Sequence, residues 1–172
     1  MQSERSELER ELYLQALHKT ASMSLIQYEV SNFAKADFQS RSNLKVWDGQ
    51  PYLGLGCGAH SFDGVNRWGN VRSMRKYMES VGREDPPRDF METPTRLQQA
   101  SERLMLSLRR PEGLNILSWQ EEFQIGLSLE QKNQMEKLKD QDLVSWESPI
   151  LKLTTEGMLL ADAITAELMP EA

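Results

Sequence analysis

Apolar residues recur along this chain at helical spacing in some stretches and in short runs in others. "SELERELYLQALHKT" places Leu8, Leu12 and Ala16 on one face and offers Ser6 as an N-cap, which predicts a helix. His18, near its end, reads as a solvated cation at the negative pole of that helix. "SLIQYEV" (24–30) is short and apolar-rich, the pattern of a strand, and a helix running into a strand is half of a βα repeat. A polar stretch follows from 31 to 51, and loops of such length without structure of their own are functional or disordered. "YLGLG" (52–56) predicts a second strand. "RSMRKYMESV" predicts a short helix with Met74, Tyr77, Met78 and Val81 on its inner face.

"GREDPPRDFMETP" (82–94) concentrates proline and charge without periodicity and reads as a linker. Beyond it the pattern becomes helical. "TPTRLQQASERLMLSLRR" sets Leu97, Ala100, Leu104 and Leu108 in register, and "PEG" stops it. "LSWQEEFQ" is a short helix started by Ser118, and "SLEQKNQMEKLKDQD" a longer one capped by Ser128. "LVSWESPILKL" predicts a β-hairpin, and "TTEGMLLADAITAELM" closes with a helix. Three helices, a hairpin and a helix in this order form a winged-helix pattern.

Composition narrows the reading without changing it. The 172 residues suffice for one domain or two small ones, and the 39% hydrophobic and 27% charged residues are those of a soluble globular protein. No apolar run approaches the roughly 18 residues of a membrane span. The charged start "MQSERSELER" resembles neither a secretory signal nor a transit peptide. Cys57 is the single cysteine, which excludes an internal disulfide and fits a reducing, cytoplasmic setting. The net charge of −6 argues against nucleic acid as a partner. The candidate recognition helix 128–141 points the same way, since it mixes Lys132, Lys137 and Lys139 with Glu130, Glu136 and Asp140. Charge is uneven: residues 94–172 hold 8 Lys/Arg against 13 Asp/Glu, while 1–93 are near neutral. Arg41, Lys45, Arg67, Arg72, Arg75 and Lys76 flank one glycine-rich segment, which suits a small anionic ligand as well as a plain solvated surface.

That segment, "QPYLGLGCGAHSFDG" (50–64), gathers four glycines, the cysteine and one of the two histidines. Its glycine spacing is like that of dinucleotide loops, but the helix those loops need does not follow at once. Either a ligand approaches this backbone closely, or the glycines shape a structural bulge. Cys57 and His60 form a CxxH pair with no further ligand nearby to complete a transition-metal site. One imidazole suffices as an axial ligand to an iron porphyrin, so His60 meets that lighter demand.

Three segments carry a resemblance: "QYEVSNFAK" (27–35), "YLGLGCGAHSF" (52–62) with "WGNVRSMRKYM" after it, and "LTTEGMLLADAI" (153–164). In this order and spacing they resemble the C-terminal part of the oxygen-independent coproporphyrinogen III oxidase-like radical S-adenosylmethionine proteins, and within them the HemW-type heme chaperones. The resemblance implies an α/β fold: the C-terminal βα units of a partial radical S-adenosylmethionine (βα)6 barrel in 1–82, a linker at 83–92, and a mainly helical winged-helix-like domain in 93–172. It implies that the strands near 25–30 and 52–56 are parallel neighbours, whereas the hairpin near 143–153 is antiparallel. It also implies a role in heme or porphyrin metabolism with S-adenosylmethionine and a four-iron four-sulfur cluster as cofactors. The cluster-holding CxxxCxxC motif does not occur in this sequence, so the chain is expected to be a fragment or a shortened product that performs no radical catalysis alone.

Carried over by motif, the resemblance places Gly54, Gly56, Ala59, His60 and Ser61 on a cofactor-facing wall, as chemistry at the C-terminal ends of barrel strands requires. In the preceding loop the family's His-Asn-x-x-Tyr is replaced: Ser42 and Val46 stand for its histidine and tyrosine, while Asn43 remains. Arg41 and Lys45 beside them are candidates to meet propionates. A tetrapyrrole is the expected ligand, heme included, and the missing barrel half or a protein the expected partner. The alternative is a non-catalytic interaction module. Either way an open barrel edge is expected to favour self-association.

Overall fold

The computed structural model describes residues 2–170, with side chains from residue 7. Among the described residues it holds eight helices and eight strands. They gather into two compact units: one runs up to Ser40 and resumes from Ala100, the other is Arg41–Gln99. These units cut across the modules expected at 1–82 and 93–172.

The first unit holds the hydrophobic core. Helix α1 (Gln2–Ser22) leads into a hairpin of β1 (Ile26–Glu29) and β2 (Asn32–Ala34). Ser6 lies within α1, so it is not the N-cap. Leu8 and Leu12 are each 55% exposed, and Tyr13 packs against the core instead of the expected Leu8–Leu12–Ala16 face. The hairpin corrects the parallel pairing expected for 25–30 and 52–56. β1 turns back through Val30 and Ser31, and β2 pairs with it antiparallel. A two-residue connection permits only that, because parallel neighbours need a crossover of about a dozen residues or more. The turn is tied down by the buried Glu29 carboxylate, which accepts the Ser31 amide at 3.0 Å and the Asn32 side-chain amide. The Val30 N–H donates to the Arg109 carbonyl at 2.9 Å.

In α4 (Arg96–Leu108), Ala100, Leu104 and Leu108 are buried at the expected spacing. The chain then forms β6 (Leu114–Asn115), α5 (Ile116–Phe123) and α6 (Leu129–Asp140). β7 (Val144–Glu147), β8 (Ile150–Leu153), α7 (Thr155–Leu159) and α8 (Ala161–Leu168) complete it. The sheet order is β6-β8-β7, all antiparallel, so the winged-helix pattern and its 143–153 hairpin hold. Ser128 caps α6 in a reciprocal box with Gln131. Asn115, not Ser118, caps α5, its side chain accepting the Ser118 amide at 3.0 Å. Trp119, 1% exposed, anchors the centre and donates its indole N–H to the Ala100 carbonyl at 2.9 Å.

The second unit comprises α2 (Arg41–Trp47), β3 (His60–Phe62), β4 (Arg67–Asn70), α3 (Met74–Gly82) and β5 (Arg88–Glu92). The strands form an antiparallel sheet in the order β3-β4-β5. The expected linker at 83–92 therefore contains a strand. Its five residues are all exposed, so burial imposes no alternation for sequence periodicity to reveal. The expected strand at 52–56 reduces to one antiparallel bridge, Tyr52 to Phe62. Positive φ at Gly56 and Gly58 turns the backbone out of any longer ladder. No strand pair among the described residues is parallel.

Candidate functional site

The site is built on the β3–β4 hairpin. Asp63 organises its turn, accepting the Val65 amide at 2.8 Å and the Asn66 amide at 2.6 Å. The Asn66 backbone amide, then that of Val65, holds the Asp63 carboxyl below the usual carboxylate range. A depressed folded-state pKa stabilises the turn above the unfolded value near 3.9, and that contribution is lost as pH falls through the folded value. Following the Asn66 amide shift by NMR in an acid titration should therefore give a midpoint below about 3.9. A midpoint above that value contradicts the turn geometry.

The register of this hairpin puts His60 opposite Gly69, and Gly69 opposite Phe90 on β5. The three positions share one sheet face. Gly69 has no side chain, and the Phe90 ring fills the space: a Cβ added at Gly69 would lie 2.4 Å from Phe90 Cε1. Phe90 thereby reaches His60, with ring centroids 5.5 Å apart and planes at 62°. His60 is exposed, and its imidazole nitrogens take no hydrogen-bond partner among the described residues. One pleat further along the same face, Arg67 pairs with Glu92 across β4 and β5, with Nη2 to Oε1 at 2.7 Å. On the opposite face the Arg88 guanidinium lies 4.8 Å from the Trp68 ring centre.

Behind the hairpin, the segment from Gly54 to Gly58 is held by side chains instead of a ladder. Ser61, fully buried, accepts the Gly54 amide at 2.9 Å, and Tyr77 Oη accepts the Gly56 amide at 3.1 Å. The Asn70 side-chain amide donates to the Gly56 carbonyl at 2.9 Å and more weakly to that of Gly54 at 3.4 Å. The Ala59 carbonyl accepts the Asn70 backbone amide at 2.8 Å. Gly54, Gly56, Ala59, His60 and Ser61 thus come together, with Ser61 as a buried support and His60 as the outward group. Arg41, exposed, and Asn43, half-buried, stand on α2, while the groups that organise the turn come from β3, β4 and α3. Sequence reasoning missed Gly69, Asn70 and Phe90. The only trace of Phe90 was an apolar pair, "FM", inside a charged run.

Cys57 is a half-buried free thiol. Among the described residues no group of three or more His, Cys, Asp or Glu converges on a metal position. No described helix is long and apolar enough to cross a membrane.

A mixed α/β chain with an exposed histidine on a small antiparallel sheet, joined in sequence to a winged-helix-like unit, has a solved counterpart. The fold matches Escherichia coli coproporphyrinogen III oxidase (HemN), described as a radical SAM enzyme. The TM-score is 0.72 at 16% identity, covering 91% of this chain and 39% of that one. Heme chaperone HemW of Bacillus subtilis is 30% identical over 166 residues, 96% of this chain and 44% of that protein. Heme chaperone HemW of Mycobacterium tuberculosis is 31% identical over 142 residues, 83% and 34% respectively. The mitochondrial radical S-adenosyl methionine domain-containing protein 1 of Danio rerio is 29% identical over 160 residues, 84% and 35% respectively. No family model matches the chain. In sequence and fold the chain corresponds to a C-terminal portion of HemW/HemN-like radical SAM proteins. It spans less than half the length of these relatives.

Proposed function

We propose that this chain serves a HemW-like heme chaperone activity by presenting His60 as an axial ligand to an iron tetrapyrrole. The observation that carries the reading is an exposed imidazole with no hydrogen bond to protein, steadied by the Phe90 ring. A histidine buried for structure would have a carbonyl or carboxylate partner, whereas this exposed imidazole leaves its nitrogens open to solvent or to a ligand. Arg67 lies on the same face for a propionate, with Glu92 as its present partner. Arg41 and Asn43 are further candidates for the porphyrin rim, although Ser42 and Val46 replace the family's histidine and tyrosine beside them.

Bound heme would supply an iron with an open axial position, and the chain would supply the imidazole and an aromatic edge. S-adenosylmethionine radical chemistry requires a cluster held by several thiolates, and Cys57 offers one. The residues here do not fit that cluster, so no radical step is assigned to them.

Hemin titration tests the reading. A Soret shift at micromolar hemin is expected, lost in His60→Ala and weakened in Phe90→Ala. Absence of any shift, or one that persists undiminished in His60→Ala, refutes it and leaves a protein-interaction module.

A further inference from the structure

On the face of the β3-β4-β5 sheet that presents His60, two cross-strand rows lie side by side. One is His60–Gly69–Phe90, and the next is Phe62–Arg67–Glu92. The pleat returns every second residue to the same face, so the His60 and Arg67 positions are diagonal neighbours, about 7–8 Å apart. Arg67 is engaged there by a carboxylate. Its Nε and Nη2 both donate to Glu92 Oε1, at 2.8 and 2.7 Å. This is an edge of the guanidinium with which arginine grips a ligand carboxylate through two parallel bonds. A ligand carboxylate arriving at that edge has to displace Glu92. The backbone beneath the pair is fixed: register holds Glu92 opposite Arg67, and next to it the Thr93 hydroxyl donates to Asn66 Oδ1 at 2.7 Å. The Glu92 side chain itself is 49% exposed and, among the described residues, takes no hydrogen bond except from Arg67. Rotation about its own bonds therefore releases Arg67 without moving the sheet, and an exposed pair of this kind is weak enough to yield.

We propose that Glu92 is an internal competitor for the ligand's carboxylate: it holds Arg67 until a carboxylate of a tetrapyrrole takes its place, and it reclaims Arg67 when the ligand leaves. The arrangement selects a ligand with a flat apolar body and an anionic arm, because the imidazole and the Phe90 ring stand in one row and the guanidinium in the next. A small inorganic anion would use Arg67 alone, and an esterified macrocycle would leave the Arg67–Glu92 pair intact. Glu92 thus makes free carboxylates the condition for displacement and keeps the loaded state reversible. The proposal rests on the tetrapyrrole reading of this face, but not on the iron being ligated.

Fluorescence titration with metal-free mesoporphyrin and with its dimethyl ester tests the proposal, since neither probe needs an axial ligand. Glu92→Gln keeps the side chain's size and removes its charge. It should bind mesoporphyrin about two- to fivefold more tightly, the span expected when an exposed ion pair no longer competes, and should release it more slowly. Ester binding should be the same in the parent and Glu92→Gln. Arg67→Gln should weaken mesoporphyrin binding to the level of the ester, and in the double variant the gain from Glu92→Gln should vanish. Glu79→Gln, which breaks the exposed Arg75–Glu79 pair on α3, is the control and should change neither affinity. The proposal is overturned if Glu92→Gln binds mesoporphyrin no more tightly than the parent, if the ester gains equally, or if neither protein binds mesoporphyrin at all. Hemin separates this result from the axial-ligand reading. A Soret shift lost in His60→Ala, with mesoporphyrin binding unmoved by Glu92→Gln, keeps the ligand and overturns the exchange. A mesoporphyrin gain in Glu92→Gln, with a hemin spectrum indifferent to His60→Ala, keeps the exchange and overturns the ligand.

Discussion

Trp119→Ala should lower the unfolding free energy of the helical unit by about 3–5 kcal/mol, as large-to-small changes at fully buried aromatic positions do. Trp119 is 1% exposed and packs on Phe123 at 6.3 Å between ring centroids. The substitution opens a cavity among residues that α4, α5 and the β6-β8-β7 sheet hold in place, and it removes the indole bond to Ala100. Against a total of about 5–15 kcal/mol for a typical domain, that loss leaves the unit marginal. Urea unfolding followed by circular dichroism measures it, and Trp119→Phe should lose less. A loss under about 1 kcal/mol would place Trp119 outside the main core.

The contrast between the two units explains what the sequence could reveal. From α4 onward in the helical unit the main local signals agree with the burial they predict: Ala100, Leu104 and Leu108 lie inward, Ser128 caps α6, and the hairpin pairs as its pattern says, whereas the α1 face and the Ser118 cap do not. The other unit gives equally clear patterns whose meaning is reversed. Met74, Met78 and Val81 mark an apolar helix face, but periodicity says only that the face is apolar and not what covers it. Leu53 and Leu55 produce a strand-like alternation because they point outward, while Gly54 between them and Gly56 after them serve the backbone contacts. β5 escaped because a strand exposed on both faces carries no alternation.

Candidate chemistry was legible to a similar degree. Reading "GLGCGAHS" as one cluster agrees with the geometry around Gly54, Gly56, Ala59, His60 and Ser61. Phe90, which steadies His60, lies 30 residues away in sequence and meets it only through the β3–β4–β5 register. Contacts made across strands leave no signature within a single segment.

Gly54→Ala should abolish the placement of His60 without touching the helical core. A Cβ at position 54 would lie 2.1 Å from the His60 carbonyl oxygen and 2.9 Å from its carbonyl carbon, with Ala59 Cβ at 3.0 Å. The two closest atoms are backbone, so no rotamer change relieves the contact. Either β3 shifts, or segment 53–57 moves away and breaks the Gly54–Ser61 bond. Overpacking of this kind costs about 1–3 kcal/mol locally, and a β3 shift displaces His60 from the Phe90 edge. On the heme reading, affinity for hemin should fall at least about tenfold, because ligand geometry depends on supporting contacts. Gly82→Ala is the matched control: nothing lies within 4 Å of an added Cβ there, so hemin binding and melting should stay near the parent values. Urea unfolding of the Trp119 core should be the same in both variants. If Gly54→Ala binds hemin as tightly as Gly82→Ala does, the glycine wall does not aim His60, and any binding must be organised elsewhere in the sheet.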